Sequence, residues 1–236
     1  MTDSSGYDEV THLLETATRR LVRAVDAMAD VQFAEPSLLP DWTRGHVVAH
    51  LTLNAEGLAG ALEGVREGHE VPMYRSQEDR DGDIEELSVL QPSALRERFL
   101  ASTTAIGHAV AELPDELYGV RIERTPGSER SFTAGRVGGM RLREVEIHHA
   151  DLGLDYTFSD WTDEFAVLLL DSRATAHEGP SFTAHAADLG RSWTFGDVSG
   201  PTVTGPGATL AWWTTGRDPG VGLTSDDGVL PGMEAW

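Results

Sequence analysis

The stretch MRLREVEIHHADL, residues 140–152, has the pattern of a single amphipathic helix. Leu142 and Val145 belong to an apolar face that repeats at helical spacing. Glu144 and His148 are four residues apart, so their side chains are expected on the same side of that helix. A carboxylate and an imidazole placed in this way can reach one point. A zinc site, however, needs at least one more ligand from the protein.

A candidate for that ligand lies far upstream, in DWTRGHVVAHLTLN, residues 41–54. This stretch is predicted as a loop that enters a helix, with Thr43 as the N-cap. His46, His50 and Asn54 recur every four residues and form a polar stripe on an otherwise apolar helix. A buried helix tolerates such a stripe only if its polar groups find partners.

We predict that His50, Glu144 and His148 meet across a helix interface and bind Zn²⁺. Two histidines and one carboxylate leave a fourth coordination position open, which is typical of catalytic rather than structural zinc. The spacing alone also fits an ordinary ion pair on a helix beside a histidine that hydrogen-bonds within the core.

The same two stretches resemble a known family. DWTRGHVVAHLTLNA, followed by RLREVEIHHADL, is similar to the mycothiol-dependent maleylpyruvate isomerases, which belong to the DinB-like helical-bundle metalloenzymes. The resemblance includes PMY at residues 72–74 and continues to Gly153, and it is weaker over the remainder of the chain. Paired motifs in this order are more specific for the superfamily than for a substrate.

The resemblance implies a set of site residues. The family's metal ligands fall on His50, Glu144 and His148, the trio that the spacing also suggests. The resemblance further implies that Arg80, which follows the PMY segment, and Arg217, in the C-terminal part, are catalytic residues. The implied cofactors are Zn²⁺ and mycothiol, a low-molecular-weight thiol, and the implied substrate resembles maleylpyruvate.

Arg80 and Arg217 also suit an anionic substrate on physical grounds. The chain has a net charge of −21, so an anion needs a local cation, and guanidinium pairs with carboxylate through two hydrogen bonds. Each arginine could equally be a surface charge. His46 and Asn54 are the candidate cofactor-binding residues. His46 could orient a ligand from behind the metal, or it could make a hydrogen bond within the core.

Composition limits the classes of function. The 236 residues are 40% hydrophobic and 24% charged, as in a globular protein. The acidic balance disfavours nucleic acid and anionic membranes as partners. We find neither a signal peptide nor an apolar run of about 20 residues, so we expect the protein in the cytoplasm. We expect a monomer or a weak homodimer. The chain has no cysteine, so any thiol that takes part in the chemistry must come from outside.

The fold class is predicted as α+β, in two domains. Residues 1–155 are predicted as a four-helix, up-and-down, DinB-like bundle that binds the metal, and residues 156–236 as a small α+β domain. The helix with Glu144 and His148 is predicted to begin near Thr133. Residues 68–82, which include Arg80, are predicted as a polar loop, and residues 118–124 as a short strand.

The predicted function is a zinc- and thiol-dependent cis–trans isomerisation of a maleylpyruvate-like substrate. The resemblance implies that the thiolate adds to the cis double bond, that the adduct rotates, and that elimination releases the trans isomer. Three alternatives remain open at this point. They are a mycothiol S-transferase, a zinc-dependent hydrolase, and a non-catalytic module that binds a metal or a small molecule, because a fold does not determine a function.

Overall fold

The computed structural model describes residues 4–234, which form two compact units, the first ending at Leu154 and the second beginning at Asp155. Helices dominate the first unit. They are α1 (Ser4–Ala27), α2 (Arg44–Glu67), α3 (Gln77–Ser88), α4 (Pro92–Ala111) and α5 (Val137–Asp151).

Four of these helices, α1, α2, α4 and α5, pack as a bundle in which each contacts two neighbours: α2 lies against α4 and α5, and α1 lies against the same two helices. Apolar side chains spaced three or four residues apart supply the core between them. Leu21, Leu51, Leu58, Phe99 and Leu142 are all at most 2% exposed. The predicted N-terminal helical bundle is therefore confirmed.

Helix α2 begins where the sequence predicted. The Thr43 side chain accepts a hydrogen bond from the backbone N–H of His46, and the His46 ring in turn accepts one from the backbone N–H of Thr43. These two bonds form a reciprocal cap, which satisfies amides that a helix N-terminus leaves free. Gly68 ends the helix in the left-handed conformation, with φ at 74°.

Helix α3 corrects the predicted polar loop over residues 68–82, because it begins inside that segment. Ser76 caps the helix by accepting a hydrogen bond from the Asp79 amide. Acidic residues in its first turn stabilise the helix, because they lie at the positive end of its dipole. This helix buries only two large apolar side chains, Ile84 and Leu87. Its apolar face is therefore too short to be recognised in the sequence among the acidic residues.

A two-stranded hairpin, β1 (Arg121–Glu123) and β2 (Ser131–Thr133), precedes α5. The predicted strand over residues 118–124 is therefore shorter than expected, and its partner strand was missed. Thr133 does not cap α5, which begins four residues later, after a 3-10 turn. The backbone amides of Met73 and Tyr74 donate to the carbonyls of Glu123 and Arg124, which fixes Tyr74 beside the bundle.

The second unit contains α6 (Asp163–Thr175), a mixed sheet and α7 (Gly207–Trp213). The strands are β3 (Phe182–Ala186), β4 (Arg191–Phe195), β5 (Thr202–Gly205) and β6 (Thr224–Ser225), in the spatial order β4-β3-β5-β6. Only the β3–β5 pair is parallel. The predicted α+β fold class is confirmed. The sequence predicts a last strand over residues 221–223, but β6 begins only at Thr224.

Among residues 4–234, no helix is both long enough and apolar enough to span a membrane.

Candidate metal centre and active site

The structure brings His50, Glu144 and His148 together inside the first unit. Glu144 Oε2 lies 2.9 Å from His50 Nε2 and 3.3 Å from His148 Nε2. One ligand atom from each of the three residues lies within 4.8 Å of the others. Ligand atoms on a tetrahedral zinc are about 3.3 Å apart, because each lies about 2.0–2.1 Å from the metal.

Two helices supply the three ligands. His50 comes from the buried face of α2, and Glu144 and His148 come from adjacent turns of α5. The two imidazole rings meet edge to face, with their centroids 4.6 Å apart. The Trp42 ring lies 5.7 Å from His50. Both histidines are buried, whereas Glu144 is partly exposed, so the cluster is open to solvent on the side of the carboxylate.

Asp151 supports His148 from behind. Its carboxylate is fully buried and lies 2.8 Å from His148 Nδ1. An ionised carboxylate can only accept, so Nδ1 of His148 carries a proton, and Nε2 is the nitrogen available to a metal. Carboxylate–histidine pairs of this kind orient metal ligands in proteins. Asp151 was not predicted as a site residue, although its place three residues after His148 on the same helix face was a usable signal.

Arg80 supports His50 in a different way. Its Nη2 donates a hydrogen bond to His50 Nδ1 over 3.0 Å, and its Nη1 donates to Asp81 over 2.7 Å. The guanidinium also lies over the Tyr74 ring, 5.7 Å from the centroid. Arg80 lies in the first turn of α3 and contacts His50, a candidate metal ligand, directly.

The three candidate ligands have shifted pKa values. Burial lowers the pKa of His50 to about 4, against the opposite effect of its hydrogen bond to Glu144. Burial also acts to raise the pKa of Glu144, but hydrogen bonds from His148 and His50 outweigh it and hold this pKa well below its usual range. For His148, burial is outweighed by the hydrogen bonds to Asp151 and Glu144, and the pKa is raised. Glu144 is thus a carboxylate at neutral pH.

Arg141 is a further charged residue of the site that the sequence analysis did not single out. It is 1% exposed, and its Nη1 donates to the Leu51 carbonyl and to Asn54 Oδ1. Its Nη2 has no hydrogen-bond partner among the described residues. Burial lowers the pKa of Arg141 to about 10, with nearby Glu144 acting in the opposite direction. Asn54, a candidate cofactor-binding residue, therefore holds a buried cation.

The donor set fits zinc. Two imidazole nitrogens and one carboxylate oxygen are ligands that zinc takes in catalytic sites, and Asp151 supplies the outer hydrogen bond that such sites use. The sequence motifs around these ligands also have a counterpart among known families. The family described as "Mycothiol maleylpyruvate isomerase N-terminal domain" matches residues 14–153. The chain belongs to the mycothiol maleylpyruvate isomerase family. All three candidate ligands lie within the matched region.

Two solved structures are similar to this family member over almost its whole length. One is a crystal structure of the mycothiol-dependent maleylpyruvate isomerase, with 28% sequence identity and a TM-score of 0.87. The other is a variant of that enzyme in which a histidine is replaced by alanine, with 27% identity and a TM-score of 0.86. In both comparisons the similarity covers 98% of this chain and 97% of the other. A comparison with curated proteins gave no match.

The remaining predicted site residues of this isomerase-family chain lie outside the ligand cluster. His46 takes part in the cap of α2, and its Nε2 lies 3.3 Å from Glu85. Arg217 belongs to the second unit, where its guanidinium lies 5.9 Å from the centroid of the Trp212 ring. The cofactor-binding role of His46 and the catalytic role of Arg217 stay predictions.

Proposed function

We propose that this protein is a zinc- and mycothiol-dependent cis–trans isomerase that acts on a maleylpyruvate-like dicarboxylate. The observation that carries the proposal is the trio His50, Glu144 and His148, backed by Asp151, in a member of the mycothiol maleylpyruvate isomerase family. The chain has no cysteine, so a sulfur nucleophile has to come from a separate thiol.

Charge around the trio supports an anionic ligand. With both histidines neutral, the carboxylates of Glu144, Asp151 and Asp81 exceed the guanidinium groups of Arg80 and Arg141 by one charge. A divalent zinc ion would then leave a local charge of about +1, within a chain whose net charge is −21. Such a site favours a thiolate over a thiol and attracts carboxylates that the rest of the surface repels.

In the proposed reaction, mycothiol would supply a thiolate that adds reversibly to the cis double bond of the substrate and is released unchanged, so that the central bond could rotate in between. Arg80, beside the trio, is proposed to hold one carboxylate of the substrate, and a catalytic role for Arg217 in the second unit stays a prediction.

The thiol requirement is the direct test. Isomerisation should be undetectable in thiol-free buffer and should appear on addition of mycothiol, which can be quantified before and after the reaction. We expect the thiol to be recovered unchanged. Full activity without thiol would contradict the mechanism. A stoichiometric loss of thiol into a stable adduct would instead support an S-transferase.

The metal requirement is tested by zinc content. Elemental analysis of the purified protein should give one zinc per chain. His50→Ala should lose it, because only two protein ligands remain. His46→Ala is the matched control on the same helix and should keep full occupancy. Loss of zinc from the His46→Ala variant, with retention in the His50→Ala variant, would show that His46 and not His50 is the ligand.

A further inference from the structure

The candidate metal ligands lie where two pairs of helices meet. α2 packs most extensively against α4, and α5 packs most extensively against α1, whereas the contact between α2 and α5 is smaller. His50 lies on one side of that contact, and Glu144 and His148 lie on the other. The separation of the ligands therefore depends on how α2 is held against α5.

Arg44, the first residue of α2, joins the two helices at one end of this contact. Its Nε donates to the Leu152 carbonyl over 2.7 Å, and its Nη2 donates to the Gly153 carbonyl over 3.2 Å. Both carbonyls lie at the C-terminal end of α5, where a helix leaves its last carbonyls without partners of its own. Glu35 holds the same guanidinium through an ion pair.

Arg141 joins the two helices at the other end. It lies in the first half of α5, and its Nη1 donates to two acceptors on α2, the Leu51 carbonyl over 2.9 Å and Asn54 Oδ1 over 2.8 Å. All three residues are buried. Water therefore has little access to these hydrogen bonds, and their loss would leave buried polar groups without partners.

The two arginine contacts fit a single antiparallel register. α2 advances by ten residues from Arg44 to Asn54, and α5 advances by eleven from Arg141 to Leu152. At about 1.5 Å per residue these intervals are about 15 Å and about 16.5 Å, so both contacts can form at once. The three candidate ligands lie between the two contacts. Neither contact uses a ligand atom, so this register does not depend on what the ligands bind.

We propose that Arg44 and Arg141 are positioning residues that fix the register of α2 against α5. They thereby set the distance from His50 to the two ligands on α5. Ligands held at a fixed spacing bind a metal more tightly than ligands that the metal has to bring together, because less freedom is lost on binding. This inference rests on the proposed metal site and goes beyond it, because it assigns the spacing of the site to residues that are not ligands.

A double variant separates positioning from a general effect on stability. Arg141→Met/Asn54→Leu replaces both partners of a buried hydrogen bond by apolar side chains of similar size. Such a replacement is close to neutral for the free energy of unfolding, and it also removes a costly buried charge. The variant should therefore fold but lack the contact. We expect its zinc affinity, measured by competition with a chromophoric chelator, to be about 10–100-fold lower.

The direction of this change distinguishes the contact from the charge. Arg141 is a cation that interacts with nearby Glu144. Removal of a cation near the ligands would by itself favour a divalent metal, because like charges repel. A weaker zinc affinity in the double variant is therefore the result expected from the lost contact and not from the lost charge.

Arg44→Met removes the other contact and should also weaken zinc binding. The matched control is Arg96→Met. Arg96 lies on α4 and makes the same kind of contact with the C-terminal end of α1, where it donates to the carbonyls of Val25 and Met28. Neither of these helices carries a candidate ligand. The control should lower the free energy of unfolding and leave zinc affinity unchanged.

Cobalt in place of zinc gives a second readout. The visible absorption of Co²⁺ depends on its coordination geometry, so it reports on the placement of the ligands rather than on stability. We expect the cobalt spectrum of Arg96→Met to match that of the wild type. The spectra of Arg44→Met and of the double variant should differ from it.

Each outcome is decisive. Wild-type zinc affinity and an unchanged cobalt spectrum in Arg44→Met or in the double variant would overturn the role of that arginine. An equal loss of affinity in Arg96→Met would overturn the proposal as a whole, because zinc binding would then follow stability and not the contact between α2 and α5. Absence of zinc binding by the wild type would overturn the proposed function itself.

Discussion

At the scale of single residues, the most demanding feature is the buried guanidinium of Arg141. Both of its hydrogen-bond acceptors are neutral: a backbone carbonyl and the amide oxygen of Asn54. A buried charge is costly unless its donors are paired. Asn54 is therefore a structural partner of this cation, whatever else it binds.

Replacement of Asn54 tests that role. Asn54→Leu keeps a similar volume but removes the acceptor from a buried cation, so we expect the free energy of unfolding to fall by about 3 kcal/mol. Urea denaturation of the chelator-treated protein measures it. The matched variant Asn54→Asp retains an acceptor and adds a counter-charge, so it should lose less. A larger loss of unfolding free energy in Asn54→Asp than in Asn54→Leu would contradict the pairing of Asn54 with Arg141.

The acid response of the metal-free protein should depend on His50. Its pKa falls from 6.5 to about 4 on folding. Between these values the unfolded chain binds a proton that the folded protein does not, so stability decreases as the pH falls. The expected loss is about 3 kcal/mol, at 1.36 kcal/mol for each pKa unit. The raised pKa of His148 makes its own contribution vary only above pH 6.5, and the lowered pKa of Glu144 matters below 4.5.

The control for this prediction is His50→Gln, which can still donate to Glu144 and accept from Arg80 but does not titrate. Urea titrations at pH 6.5 and pH 4.5 should show a steeper loss of stability in the wild type than in this variant. Parallel losses would mean that His50 is not the titrating group.

At the scale of elements, the sequence predicted long periodic helices better than short polar ones. α2 begins directly after the predicted N-cap, Thr43, and its apolar positions recur over several turns. α3 was missed because Ile84 and Leu87 are its only large buried apolar side chains, too few to show a helical period. That error also placed Arg80 in a loop, and it hid the contact with His50, which depends on how α3 is positioned against α2.

The ligand trio could be proposed from the sequence because spacing and the family resemblance agreed on it. Its supporting residues could not be assigned in the same way. The ring nitrogen that each histidine presents is set by Asp151 and by Arg80, and the second of these lies on a different helix. Contacts between residues far apart in the chain produce no periodic pattern in the sequence, so they cannot be predicted from spacing.

Glycines on α2 provide a test of how closely the elements pack. A Cβ built at Gly57 would lie 2.5 Å from the Met73 carbonyl oxygen, whereas one at Gly60 would meet nothing within 4 Å. Gly57→Ala should therefore destabilise the protein by about 1–3 kcal/mol. Gly60→Ala, three residues further along the same helix, should stabilise it by about 0.5–1 kcal/mol because alanine favours helix. Thermal or urea unfolding measures both, and equal effects would contradict this packing.

At the scale of the whole molecule, the two units divide the predicted tasks. All three candidate ligands lie in the unit that ends at Leu154, and Arg217 lies in the other. The first unit also has its own buried core.

A fragment of residues 1–154 should consequently fold and bind one zinc, yet fail to catalyse isomerisation, because it lacks Arg217. Circular dichroism and elemental analysis report on folding and metal, and the mycothiol-dependent assay reports on turnover. Full-length Arg217→Ala is the control and should match the fragment in both zinc content and lost activity. Wild-type turnover by the fragment would show that the second unit is dispensable.

Helix α5 has a consequence for how this protein can tolerate insertions and deletions. Arg141, Glu144, His148 and Asp151 follow one another at intervals of three, four and three residues. At about 100° per residue they share an arc of about 80° on one helix face. One residue gained or lost between Arg141 and Glu144 would turn the later three away together, whereas substitutions elsewhere leave the arc intact. Descendants that keep the chemistry can therefore diverge widely in sequence while this eleven-residue segment keeps its length.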